Sequence, residues 1–349
     1  MAYDEGHAQG RAAAAVEDAA VRVVELMDRR RFLLTSLAGA FAVPHAVEAQ
    51  SRKVARVGLL GNNPIPPPLY EKFKEGLGEL RYVEGQQIVF VARDADSVPS
   101  RLPVAAATVI EARPDAILAR GSGAVAAAVR ATKTIPLVAI DLESDPIALG
   151  YAKTLARPGG NLTGVFLDLP ELCAKQLQLF REIVPDLSRA ALVGDPVGNA
   201  AQFRATELAA QSFGVQVQPI AVRAPVELDA AMETARRTGA GVVLIFSSPA
   251  VFNNLARLAA LAQQKRLPTV SLFAEFARAG GLLTYGPSIG EAFHRCGMYV
   301  GRILNGAKPG ELPIERPRTF ELLINLKTAK ALGLTIPPSV LARADQVLE

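Results

Sequence analysis

From Ile135 to Val165 the chain reads IPLVAIDLESDPIALGYAKTLARPGGNLTGV. A short apolar strand, Leu137 to Ile140, ends at Asp141 and breaks into an acidic loop that closes on Asp145-Pro146. A short helical piece follows, then the turn signal Pro158-Gly159-Gly160-Asn161 and a second apolar run, Leu162 to Phe166. Beyond it a fresh series of strand and helix patterns begins, much like the series before. The stretch is therefore the passage from one α/β lobe to another. Ligands of α/β sheets sit beyond the carboxyl ends of the strands, so this passage is expected to border the functional site.

Upstream, strands are predicted at Val54 to Leu60, Gln87 to Ala92 and Ala116 to Ala119, alternating with helices after Pro66, from Pro99 to Ala112 and from Ala124 to Thr132. Downstream, strands at Ala190 to Val193, Gln216 to Ile220, Val242 to Phe246 and Thr269 to Leu272 alternate with helices at Glu171 to Val184, Ala200 to Phe213, Pro225 to Thr238 and Phe252 to Gln264. A strand at Leu282 to Tyr285, a long helix at Ser288 to Leu304, a Pro- and Gly-rich linker at Gly306 to Pro317 and a last strand at Phe320 to Leu326 complete the pattern. The βαβ rhythm requires parallel sheets with helices on both faces. The fold class is α/β, two Rossmann-like lobes with a ligand cleft at the hinge. The lobes are expected at 54–164 plus 288–308 and at 165–287 plus 312–349, so the chain crosses between them more than once.

The first 49 residues read as an upstream segment and export signal. Arg29-Arg30-Arg31 precedes an apolar run, Phe32 to Val43, and Val47-Glu48-Ala49 is a small-residue cleavage pattern, which makes Gln50 the mature start. Arg29-Arg30-x-Phe32-Leu33 has twin-arginine spacing, and the ordinary secretory route stays open beside it. Translation could begin at Met27. The expected location is the periplasm.

Half of the 349 residues are hydrophobic and the formal net charge is +4, with the charges scattered along the chain. A solvated surface accounts for that pattern, and no nucleic-acid partner is expected. The two cysteines, Cys173 and Cys296, lie in no metal-binding or C-x-x-C spacing and read as buried thiols, although a bridge between them stays open in an oxidising compartment. No metal or cofactor is expected. Beyond the signal the single histidine is His294, mid-helix, and neither a G-x-S-x-G elbow nor a G-x-x-x-x-G-K-[ST] loop occurs. The chain is therefore not expected to be an enzyme.

Polar groups at the strand ends form a set: Asn62, Ser122, Gly123, Asp141 and Asp145 from the first lobe, Asp195, Ser247 and Ser248 from the second. Each alone also fits a cap or a turn. Together they put hydrogen-bonding groups on both walls of a cleft. Asp141, Asp145 or Glu275 could meet an ammonium group, while Ser122 and the glycine amides beside it, at a helix start, could hold a carboxylate. Phe166, Phe273 and Tyr285 are the candidate apolar walls, or else core residues.

Four stretches carry a resemblance: Leu80-Arg81-Tyr82-Val83-Glu84-Gly85-Gln86; Ala156-Arg157-Pro158-Gly159-Gly160-Asn161-Leu162-Thr163-Gly164-Val165; Ala279-Gly280-Gly281-Leu282-Leu283-Thr284-Tyr285-Gly286; and Phe320-Glu321-Leu322-Leu323-Ile324-Asn325-Leu326-Lys327-Thr328-Ala329-Lys330. With them the chain resembles the extracytoplasmic substrate-binding proteins of ABC transporters, in particular the family whose best-known members bind tryptophan or related aromatic amino acids. The resemblance implies a type I periplasmic-binding fold with three crossovers, a small-molecule ligand between the lobes, and a membrane permease as partner. A monomer is expected. The loop after the fourth strand here carries Asp141, Glu143 and Asp145, which suits a cationic or amine-bearing ligand or else faces solvent. Two other classes remain, a ligand-sensing domain of a signalling system and an α/β hydrolase or dehydrogenase.

Overall fold

The computed structural model describes residues 54–167 and 170–349. The expected export signal lies outside the described residues. The chain from Val54 to Glu349 is one compact unit.

The first lobe opens with β1 (Ala55–Gly61), α1 (Pro67–Gly78), β2 (Ile88–Asp94), α2 (Leu102–Glu111), β3 (Ala116–Arg120), α3 (Ser122–Ala131), β4 (Leu137–Asp141) and β5 (Leu162–Phe166). The second runs through α4 (Pro170–Ile183), β6 (Arg189–Gly194), α5 (Ala200–Ser212), β7 (Gln216–Ala221), α6 (Leu228–Arg237), β8 (Val242–Ile245), a single turn α7 (Pro249–Phe252), α8 (Leu255–Gln264), β9 (Thr269–Ser271), α9 (Ala274–Arg278) and β10 (Leu283–Pro287). Then come α10 (Ile289–Leu304), β11 (Ile314–Glu315), β12 (Phe320–Asn325), α11 (Leu326–Leu332), α12 (Pro338–Leu341) and β13 (Gln346–Leu348). Among the described residues the strands form two sheets, ordered β11-β5-β4-β3-β1-β2 and β13-β12-β10-β9-β8-β6-β7. All pairings are parallel except β10 with β12. The central strands β3, β4, β5 and β8 are buried on both faces, as helices on either side of a parallel sheet demand.

The chain changes lobe three times: after Leu167, between β10 and α10, and between β11 and β12. The limit expected at 164 cuts β5, and the one expected at 312 assigns β11 to the wrong lobe. β5 stays paired with β4 as far as Asp141 opposite Phe166, and Ile314 and Glu315 pair with Gly164 and Val165. Two residues of strand are too few to carry a periodic signal, which is why the linker hides β11. The short helical piece expected after the acidic loop is absent there; residues 146–150 form turns, tied by Asp145.

Helix α10 docks on the first lobe, against α1, β4 and β5. It can approach α1 closely because both helices present glycine at the contact. A methyl on Gly76 would stand 2.0 Å from the His294 carbonyl oxygen, and one on Gly297 would stand 2.1 Å from that of Phe73. His294 itself points to Glu79, its Nε2 at 2.8 Å from the carboxylate. Cys296 is buried on α10 and Cys173 on α4, in opposite lobes, and both are free thiols, so the bridge left open by the sequence does not form. Among the described residues no helix is long and apolar enough to cross a membrane.

Candidate functional site

The carboxyl ends of β1, β3, β4 and β8 meet across the gap between the lobes. At β3 the side chain of Arg120 turns back over its own sheet. Its Nη2 donates to the Asn63 carbonyl at 2.6 Å and to Asp94 at the end of β2 at 3.1 Å, which ties three strand ends together. Gly61 makes room for this, since a methyl there would meet the guanidinium at 2.3 Å. Burial costs both partners more than their attraction returns. It lowers the Arg120 pKa to about 10 and raises that of Asp94.

At β4 the fully buried Asp141 folds the chain. Its Oδ1 accepts from the backbone N–H of Glu143 at 3.0 Å and of Ser144 at 3.1 Å, an Asx turn that reverses the acidic loop. The turn carries Glu143 into the gap, where its carboxylate accepts from the Ser247 hydroxyl of the second lobe at 2.5 Å. Ser247 is held in turn, because Asn199 donates to its carbonyl at 2.8 Å and accepts from the Asp195 N–H at 2.9 Å. Burial pushes Glu143 up to about 7, and the charge of Asp141 beside it adds to the rise; the Ser247 hydroxyl and the Ser122 backbone amide pull the other way. Asp141 is likewise raised by burial.

Around this bond lies a chamber of about 100 Å³ walled by Ile140, Leu142, Ile289 and Phe293 of the first lobe and by Phe252 and Phe273 of the second. The rings of Phe252 and Phe273 pack edge to face with centroids 4.8 Å apart. Polar residues lining it are Asn62, Asn63, Arg120, Glu143, Ser247, Ser248 and Asn253. An adjoining, more polar compartment of about 270 Å³ shares Asn62, Arg120 and Ser248 and adds Ser97, Ser122, Gly123, Asp195, Arg223 and Asn254. The Arg120 Nε, Asn62 Oδ1 and Glu143 Oε2 are buried with no partner. The site thus offers one guanidinium and one carboxyl with unspent hydrogen-bonding capacity, set among aromatic rings.

Of the residues expected from the sequence, Asn62, Ser247, Ser248 and Phe273 line the inner chamber, while Ser122, Gly123 and Asp195 line the outer compartment. Five stand outside both. Asp141 lies behind Glu143 and shapes its loop. Asp145 caps a turn by accepting from the Ile147 and Ala148 amides. Phe166 is core, packed with Leu137 and Ala139. Glu275 is exposed and pairs at 3.8 Å with Arg278, one turn on. Tyr285 stacks on Phe320, and its carbonyl accepts from Gln176. The sequence set missed Glu143, which was named only as part of its acidic loop, and also Arg120, Phe252 and Phe293. Arg120 directly precedes the glycine turn read as a helix start, and a long side chain at a strand end was the available signal. Among the described residues no cluster of His, Cys, Asp and Glu could hold a metal ion.

Comparison with known proteins agrees with this architecture. The family model for ABC transporter substrate binding proteins matches residues 68–348. A protein of Clostridioides difficile (strain R20291) named tyrosine-binding protein is 21% identical over 295 residues, covering 82% of this chain and 83% of its own. The crystal structure of a conserved domain protein from Vibrio cholerae superposes with a TM-score of 0.78 at 26% identity, over 84% of this chain and 100% of that one. The ABC domain of Streptococcus pneumonia in complex with L-Trp superposes with a TM-score of 0.77 at 22% identity, over 84% and 99%.

Proposed function

The chain belongs to the ABC transporter substrate-binding proteins, and from that premise we propose that it captures one small amino-acid-like or carboxylate solute between its lobes and delivers it, unaltered, to a membrane permease. The hydrogen bond from Ser247 to Glu143 carries this reading, because it closes the two lobes over a chamber walled from both sides. A solute that touches both walls gains contacts in the closed form that the open form lacks, and that difference drives closure.

The chamber favours an aromatic or branched amino acid. An apolar side chain fits among Phe252, Phe273 and Phe293. The Arg120 Nε can donate to a carboxylate, and Glu143 can accept from an ammonium group. The tyrosine-binding name of the C. difficile relative and the L-Trp in the pneumococcal structure support this class. The inner chamber of about 100 Å³ is smaller than the roughly 150 Å³ that takes benzene, so a ring seated there reaches toward the adjoining compartment of about 270 Å³. The export signal read at residues 1–49 supports work in the periplasm. Calorimetry on solute-free protein against amino acids and aromatic acids tests the reading. One-to-one binding of at least one of them is expected; no heat with any would overturn it.

A further inference from the structure

Asp141 Oδ2 and Glu143 Oε2 are both buried without a hydrogen-bond partner, and the Ser144 hydroxyl beside Asp141 helps to hold that carboxyl without supplying a charge. The two carboxyls are near enough to hydrogen-bond each other, which requires a proton between them, and burial first and their mutual charge second favour the pair's holding one proton. The remaining neighbours do not replace it. Ser247 and the Ser122 amide donate to Glu143, leaving Oε2 without a partner. Arg120 lines the same chamber, but its positive charge is met by Asp94. Tyr151, whose pKa is raised by burial first and then by the Asp141 charge, offers no cation. Across the chamber Phe252, Phe273 and Phe293 present only rings, whose faces favour a cation over an anion.

We propose that the solute bears an ammonium group which takes the place of the proton shared by Asp141 and Glu143, so that binding is coupled to release of a proton. The charge balance is simple: one cation enters, one proton leaves to solvent, and the carboxyl pair ends doubly ionised against the ammonium. This deepens the solute-binding reading and rests on it, and it separates amines and amino acids from plain carboxylic acids. Glu143 is the contact residue and Asp141 a positioning residue behind it.

The test compares L-phenylalanine, phenethylamine and 3-phenylpropionate on solute-free protein by calorimetry in two buffers of different ionisation heat, between about pH 5 and 8. L-phenylalanine and phenethylamine should release a proton, with affinity rising up to about tenfold per pH unit until the pair has ionised and level above that. Released protons should be absent with 3-phenylpropionate, which should bind more weakly than L-phenylalanine. E143Q, checked for folding by circular dichroism, should lose the pH slope and at least about tenfold in L-phenylalanine affinity, the size of one charged hydrogen bond. D141N should keep binding but move the slope to lower pH, a shift that a purely structural Asp141 would not produce. A flat affinity with no proton release, or 3-phenylpropionate binding as tightly as L-phenylalanine, overturns this inference and leaves solute capture standing. Silence with every amino acid and acid overturns both.

Discussion

Ser247 at the end of β8 and Glu143 in the loop after β4 lie 104 residues apart in sequence, and a hydrogen bond of 2.5 Å joins them across the cleft. The two loops are built differently. Glu143 is aimed by the Asx turn of Asp141, and Ser247 is anchored through its own carbonyl by Asn199. The bond therefore joins two rigid supports, and making or breaking it moves lobes rather than side chains.

Ser247→Ala removes the donor and leaves the Glu143 carboxyl short of a partner in the closed form. A hydrogen bond to a protonated, neutral carboxyl contributes about 0.5–1.5 kcal/mol, enough to shift a two-state closure by roughly two- to tenfold. The solute-free variant should have a larger radius of gyration in solution scattering than the wild type and weaker solute affinity. Equal radii would mean that other contacts hold the lobes.

Glu143 also sets a pH dependence of stability. Its folded pKa of about 7 lies above the ordinary 4.5, so between those values the folded chain holds a proton that the unfolded chain has lost. Stability from this group is full below about 4.5 and falls as pH rises to about 7, by roughly 3 kcal/mol at 1.36 kcal/mol per unit. Glu143→Gln should therefore gain melting temperature over the wild type at pH 8 and show a smaller gain at pH 5. An equal difference at both pH values would place Glu143 in an ordinary, solvated setting.

Arg120 and Asp94 form a buried pair, with side chains 13% and 15% exposed. Removing one partner of such a pair typically costs about 3–5 kcal/mol, because the other charge is stranded. Arg120→Ala should be the more harmful single change, since it also frees the Asn63 carbonyl and opens the chamber floor. Adding Asp94→Ala to it should restore part of the loss. Denaturant melts of the two single variants and the double variant give the coupling; additive losses would show that the pair does not act as a unit.

Most of this architecture was legible in the sequence, for physical reasons. Strands such as Leu137 to Ile140 are apolar throughout because helices cover both faces, and helices such as α10 show a stripe of buried positions at Ile289, Phe293, Cys296 and Val300. What escaped is short or non-local. β11 and β13 hold two and three residues and owe their form to the strands beside them. In the site, strand ends were the right places to look, and the acidic loop stood out as a whole. Which of its three carboxylates faces the cleft depends on hydrogen bonds made by the other two. Phe293 reaches the chamber from a helix some 150 residues after β4, brought there by the return crossover, and nothing near it in sequence marks it as lining.

The two thiols should be inert in the native protein. Burial pushes Cys173 up to about 12 and Cys296 higher still, so neither forms thiolate near neutrality. An aromatic disulfide reagent should titrate no thiol until denaturant is added, and then two, with or without prior reduction. A thiol count that rises on reduction would reveal a bridge, which their separation in opposite lobes forbids.

Gly297 couples the docking of α10 to the chamber. Alanine is the better helix former by about 1 kcal/mol, so on local grounds Gly297→Ala should stabilise. The methyl, however, would lie 2.1 Å from the Phe73 carbonyl oxygen and 3.0 Å from the Leu77 nitrogen, both backbone atoms that cannot turn aside. The helices must separate, and overpacking of that kind costs about 1–3 kcal/mol or more. Phe293 and Ile289 sit one and two turns before Gly297 on the same face and line the chamber, so solute affinity should fall along with the melting temperature. Gly290→Ala on the same helix is the control: its methyl would find Lys72 Cγ at 3.5 Å, an ordinary contact with a flexible side chain. That variant should keep wild-type stability and affinity. If Gly297→Ala matched it in a thermal melt, α10 would not be held to α1 by backbone contact, and the rigidity of the chamber wall would need another source.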